Sequence, residues 1–89
     1  MHEQALMRDL VDCIEQFAAA ENATAVTRVW VRLGALSHFT PEHFREHFED
    51  AARGTRAEGA TVAATLSEDT TTPDAAGVLL ENIELEVPG

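Results

Sequence analysis

Between residues 22 and 26 the apolar spacing changes from three-and-four to two, which commits the chain to a mixed α and β fold. Upstream, Leu6, Leu10, Cys13, Ile14 and Phe17 recur at helical spacing, while Arg8, Asp9, Asp12, Glu15 and Gln16 fill the opposite side. Such a pattern predicts an amphipathic helix over residues 3–22, with Asn22 as its stop. Downstream, Thr27, Val29, Val31 and Leu33 alternate with Arg28, Trp30 and Arg32. Strict alternation predicts a half-buried strand over residues 26–33, with Thr27 and its partners facing the core and Gly34 breaking it.

The rest of the chain repeats the change of period. Thr40-Pro41 is a hydroxyl N-cap followed by proline at the first helical position, where its missing N–H costs nothing. Glu42 adds an anion to the first turn, Phe44, Phe48, Ala51 and Ala52 form the apolar stripe, and Gly54 supplies the left-handed stop. Two strands follow, over residues 61–67 and 78–87. In the first, Val62, Ala64 and Leu66 share a face; in the second, Leu79, Ile83, Leu85 and Val87 lie opposite Leu80, Asn82, Glu84 and Glu86. The polar residues 68–77 between them read as a long, exposed hairpin loop. The expected fold is α+β in the order αβαββ, with two helices packed on one face of a three-stranded sheet. At 89 residues the chain makes one domain, residues 1–89, that buries about 60–65% of its unfolded surface.

Charge narrows the function. Six basic against 16 acidic residues leave a formal net charge of −10, which repels polyphosphate and draws cations to the surface, so nucleic acid is not an expected partner. No apolar run approaches the roughly 20 residues that span a bilayer, and the amino terminus lacks the basic and apolar regions of a signal peptide. With its single cysteine, Cys13, the chain is expected to be cytoplasmic, without an intrachain disulfide or a multi-cysteine zinc site. No nucleophile–base ordering, phosphate loop or paired-carboxylate motif supports an enzyme.

The residues with the most chemistry stand first. Met1 before the large His2 is expected to be retained with a free α-amine. That amine, the first backbone amides and the His2 imidazole lie within reach of one ion. In-plane nitrogen donors suit Ni(II) or Cu(II), whereas Zn(II) prefers a tetrahedron. Glu3 adds a carboxylate, as ligand or as acceptor beside the ligands.

Met1-His2-Glu3 opening a helix, followed by the strand Val26-Thr27-Arg28-Val29-Trp30-Val31-Arg32-Leu33-Gly34-Ala35-Leu36-Ser37, resembles the start of the HypA/HybF family of hydrogenase nickel-incorporation proteins. The likeness continues through Pro41-Glu42, Phe48, Ala52-Arg53-Gly54-Thr55 and Ala57-Glu58-Gly59-Ala60 to Ile83-Glu84-Leu85-Glu86, leaving out residues 68–77. The resemblance implies a nickel-binding metallochaperone for [NiFe]-hydrogenase maturation, with a HypB-like GTPase and a hydrogenase large subunit as partners. It carries the nickel ligands onto Met1 and His2, with Glu3 close by. Some family members place a residue of the loop after the first strand near the metal, which makes His38 a further candidate. Monomers and helix-swapped dimers both occur in the family, so a homodimer is one expected assembly. Family members also carry a zinc module of two paired-cysteine motifs where this chain has residues 68–77. A structural site needs four ligands such as thiolates, so the expectation is a nickel domain alone, with Ni(II) and no zinc.

Other features have two readings each. His43 and His47, four apart on the second helix, form either a solvated face or a metal-binding pair. Cys13, on the apolar side of the first helix, reads as a buried thiol rather than a nucleophile. Arg28, Trp30 and Arg32 form either a partner-binding face or a sheet face with snorkelling arginines. The alternative to a nickel carrier is therefore a metal-free HypA-like scaffold that binds a maturation partner through that face.

Overall fold

The computed structural model describes residues 2–73 and 75–88, and of residues 2 and 3 the backbone alone. Helix α1 (His2–Ala20) leads into strand β1 (Ala25–Leu33), helix α2 (Pro41–Ala51), strand β2 (Thr61–Leu66) and strand β3 (Val78–Glu86). Strand β1 is central, in the order β2-β1-β3, paired parallel to β2 and antiparallel to β3. The two helices pack on each other, α2 also lying against β2 and α1 against β3. The αβαββ order and the two-layer α+β fold are thus those the apolar spacing predicts.

The core runs between the helices and one face of the sheet. Phe44 and Phe48 of α2 are buried beside Met7, Val11, Ile14 and Ala18 of α1 and Val26, Val29, Val31 and Leu33 of β1. Helix α2 starts as predicted, because the Thr40 hydroxyl accepts the His43 amide at 3.1 Å and Pro41 occupies the first turn. Beyond its end the chain turns through Gly54, whose φ of 82° lies in the left-handed region open to glycine.

Several expectations about facing need correction. Helix α1 is rotated so that the 7, 11, 14, 18 line is buried, which turns Cys13 to solvent and leaves Phe17 51% exposed. In β1 the core face begins at Val26 rather than Thr27. A bulge at Thr27 breaks the register between Val26↔Leu85 and Arg28↔Glu84, and the displaced Thr27 hydroxyl donates to a Glu84 carboxylate oxygen at 2.8 Å. A second irregularity sets Trp30↔Asn82 next to Val31↔Leu80, so Glu81 is the extra residue in β3. The bulge shifts the alternation by one. Val78 and Leu80 pack on the core upstream of it, Ile83 and Leu85 downstream, and Leu79 is 37% exposed. Leu66, at the end of β2, is also exposed.

Residues 68–77 do not form a hairpin loop, because β2 and β3 lie on opposite sides of β1. They cross the end of β1 instead. Gly34 donates its amide to the Gly77 carbonyl at 2.8 Å, Leu36 donates to Ala75 at 2.6 Å, and the Ala75 side chain is buried. On the exposed side of this crossing, Asp69 accepts the Thr71 hydroxyl at 2.6 Å and its amide at 2.9 Å. Both bonds favour the charged carboxylate and hold its pKa below the usual 3.8, the side-chain bond more than the backbone one.

Candidate functional site

Helix α1 begins at His2, so the first amides of the chain sit where a helix leaves its N–H groups without intrahelical acceptors. The side chains of His2 and Glu3, and all of Met1, lie outside the described residues. Gln4 and Met7 of α1 line a groove of about 420 Å³ together with His47, Asp50 and Ala51 of α2. Near the other end of α1, Glu15 forms an ion pair with Arg56, whose Nε also donates to the Ala23 carbonyl at 2.9 Å. Both helices lie antiparallel to β1, α1 because a short turn joins it to that strand and α2 because it connects the parallel pair β1 and β2. The two helices run in the same sense, and their amino-terminal ends share one end of the molecule. The loop between β1 and α2, which carries His38, opens at that end.

His38 is exposed in that loop with a φ of 65°, a backbone conformation uncommon outside glycine but adopted more often by histidine than by most residues. His43 and His47 come together on α2, their rings stacked with centroids 4.4 Å apart and planes 17° from parallel. Phe39 buttresses His43 edge-on at 5.9 Å and packs against Phe44 at 5.6 Å, which ties this surface to the core. Among the described residues no group of three or more His, Cys, Asp or Glu side chains is arranged to hold a metal ion.

The far face of the sheet has a different character. There the Arg28 guanidinium lies 5.5 Å from the centroid of the half-buried Trp30, and Arg32 pairs with Glu81 at 3.6 Å. An exposed pair such as Arg32–Glu81 adds little to stability, while the stacked Arg28 covers part of the indole without leaving water. Sequence spacing found these three residues but missed Arg56, whose bonds to Glu15 and the Ala23 carbonyl set how α1 lies against the rest. An arginine in a polar loop carries no local signal of a contact 41 residues away.

Comparison with known proteins gives this arrangement a family. A family model described as "Hydrogenase/urease nickel incorporation, metallochaperone, hypA" matches residues 1–72. The chain belongs to the HypA family. Among curated relatives, the hydrogenase maturation factor HypA of Rhodopseudomonas palustris (strain BisB5) is 43% identical over 54 residues, 61% of this chain and 48% of that protein. The HypA of Bradyrhizobium sp. (strain ORS 278) is 40% identical over 62 residues, 70% of this chain and 55% of that one. The chain thus spans about half the length of the curated relatives it matches. The solution structure of the nickel metallochaperone HypA from Helicobacter pylori superposes with a TM-score of 0.78, covering 97% of this chain and 98% of that one. At 16% identity that likeness establishes a shared fold.

Proposed function

We propose that this chain is a nickel-binding accessory protein for [NiFe]-hydrogenase maturation. Met1 supplies its α-amine, His2 its imidazole, and the first backbone amides complete a planar set of nitrogen donors, with Glu3 beside it. The observation that carries this reading is the family match, which starts at residue 1 and so includes Met1-His2-Glu3. The donor chemistry agrees with it: amine, amidate and imidazole nitrogens in a plane suit Ni(II) better than Zn(II). Nickel is cargo here, so the site needs to release it as well as hold it. The first amides have no intrahelical acceptor, so giving up their protons to the metal costs no helical hydrogen bond.

Zinc has no part in this reading, since the sequence holds one cysteine and residues 68–77 hold none. A HypB-like GTPase and a hydrogenase large subunit are the proposed partners, in the cytoplasm. No helix among the described residues is long and apolar enough to cross a membrane. The chain carries nickel rather than catalysing a reaction.

Titration of the untagged protein with Ni(II), against His2→Ala and against a protein extended at its amino terminus, tests the site. Each change is expected to weaken binding by tenfold or more, which corresponds to about 1.4 kcal/mol. Equal affinity in all three proteins removes the proposal.

A second reading, a metal-free scaffold that docks through the sheet, is favoured by one observation. Arg28, Trp30 and Arg32 lie on the face of β1 opposite the residues buried under the helices, where aromatic and arginine side chains suit a partner.

A further inference from the structure

The histidine pair on α2 is the strongest feature outside the terminal site. His43 and His47 stand four residues apart, and their rings already lie side by side, 4.4 Å between centroids and 17° from parallel. Two imidazoles at this spacing on one helical face are a recurrent way to chelate a divalent ion, as in the His-x-x-Glu-His and His-Glu-x-x-His helices of metalloenzymes. Here the run is His43-Phe44-Arg45-Glu46-His47. Two nitrogens bound at about 2.1 Å from one ion lie about 3 Å apart. The stacked, near-parallel rings bring the two imidazoles together, and turning both edges toward one ion takes rotation of the side chains, with His43 giving up its edge-on contact with Phe39.

We propose that His43 and His47 form a second, bidentate site for a first-row divalent cation, for which Ni(II) is the probe, independent of the amino-terminal amine. Imidazole suits Ni(II), Cu(II) and Zn(II). The surroundings are acidic: Glu46, Glu49 and Asp50 line an open depression with His47 and Arg53. Asp50 continues the 43, 47 line by a further turn, but it pairs with Arg53 at 2.8 Å and so is not presented as a third ligand. The proposed site takes two imidazoles as its protein ligands and water at its remaining positions. An ion held by two imidazoles and water exchanges readily. The groove that His47 lines also reaches Gln4 of α1.

The two sites separate by spectroscopy. In-plane amine and amidate nitrogens give square-planar, diamagnetic Ni(II), whereas two imidazoles and water give a six-coordinate, paramagnetic ion. The experiment uses the full chain with a Gly-Ser extension that removes the α-amine ligand, titrated with Ni(II) and followed by NMR of the imidazole resonances. Expected is paramagnetic broadening centred on His43 and His47, with affinity lowered at least tenfold by either His43→Gln or His47→Gln. The double variant should bind no worse than the weaker single one, because either change destroys the chelate. Circular dichroism checks that the variants keep their helices. Broadening centred on His38 or the carboxylates, or an affinity unmoved by both substitutions, overturns the proposal. Loss of tight binding in untagged His2→Ala reports on the terminal site alone, so failure of one site is distinguishable from failure of the other.

Discussion

Phe44 shows how much a single residue holds in a domain of this size. Its ring is fully buried, packed edge-on to Phe39 at 5.6 Å and stacked on Phe48 at 6.1 Å, and Phe39 in turn touches His43. Removing such a ring costs about 3–5 kcal/mol, against a total stability of about 5–15 kcal/mol for a typical domain. Phe44→Ala is therefore expected to remove a large share of the stability, measured by urea denaturation. Phe44→Leu, nearer in volume, should lower stability by about 1.5 kcal/mol, and an equal loss in both variants would contradict a packing origin. At this scale the sequence was readable where chemistry is local. Thr40, Pro41 and Glu42 announce a helix start because a cap needs only neighbours, and Phe44 and Phe48 must be buried wherever the helix packs. Cys13 faces solvent because a helix face is not fixed by side-chain size alone. The line Met7, Val11, Ile14, Ala18 has helical spacing too, and it is the one that is buried.

Strands add a second kind of ambiguity, since a single extra residue reverses which side chains face the core. Alternation correctly placed Val29, Val31 and Leu33, but it carried Thr27 inward and kept Leu79 in one set with Ile83. Bulges at Thr27 and Glu81 account for both errors, and neither residue is a glycine or proline that would have marked the spot. Their effect is to keep Val78 and Leu80 on the same face as Ile83 and Leu85 across a break in the alternation. Deleting Glu81 leaves Val78, Leu80, Ile83 and Leu85 in strict alternation, so all four keep the core face without a bulge. The deletion also removes the exposed Arg32–Glu81 pair, worth about 0–1 kcal/mol, so stability should fall by no more than about 1 kcal/mol. The urea midpoint reads the change, and a loss of about 3 kcal/mol, as large as the exposure of two apolar side chains, would mean that the facing depends on the bulge itself. Position 68–77 was also readable only in part. Its polarity announces a loop, but whether the two strands it joins pair with each other depends on the sheet order, and here β2 and β3 lie on opposite sides of β1.

For the whole molecule, the decisive feature is the separation of its two layers. The amino terminus of α1, the histidines of α2 and the groove between them belong to the helical layer, while Arg28, Trp30 and Arg32 occupy the opposite face of the sheet. The candidate site was legible in sequence as residue types, in Met1-His2-Glu3 and His43/His47. Its arrangement was not, because the parallel run of α1 and α2 is fixed by contacts such as Glu15–Arg56, distant in sequence. Two separate layers make metal binding and partner docking separable by mutation, since substitutions that share no contacts act additively. Trp30→Thr keeps a strand-forming residue and removes the indole, at the cost of the Arg28 stack, about 0.5–1 kcal/mol at an exposed site. This variant is expected to retain the Ni(II) affinity of the unaltered protein while losing tenfold or more in capture of a HypB-like GTPase, measured by biolayer interferometry with and without nickel. His2→Ala should show the reverse, with weakened nickel binding and unchanged metal-free capture. If partner capture survives Trp30→Thr but fails with His2→Ala, docking belongs to the helical layer, and the sheet face has no part in it. If hydrogenase maturation tolerates His2→Ala but not Trp30→Thr, the chain acts as a scaffold, and the nickel proposal fails at the level of the pathway.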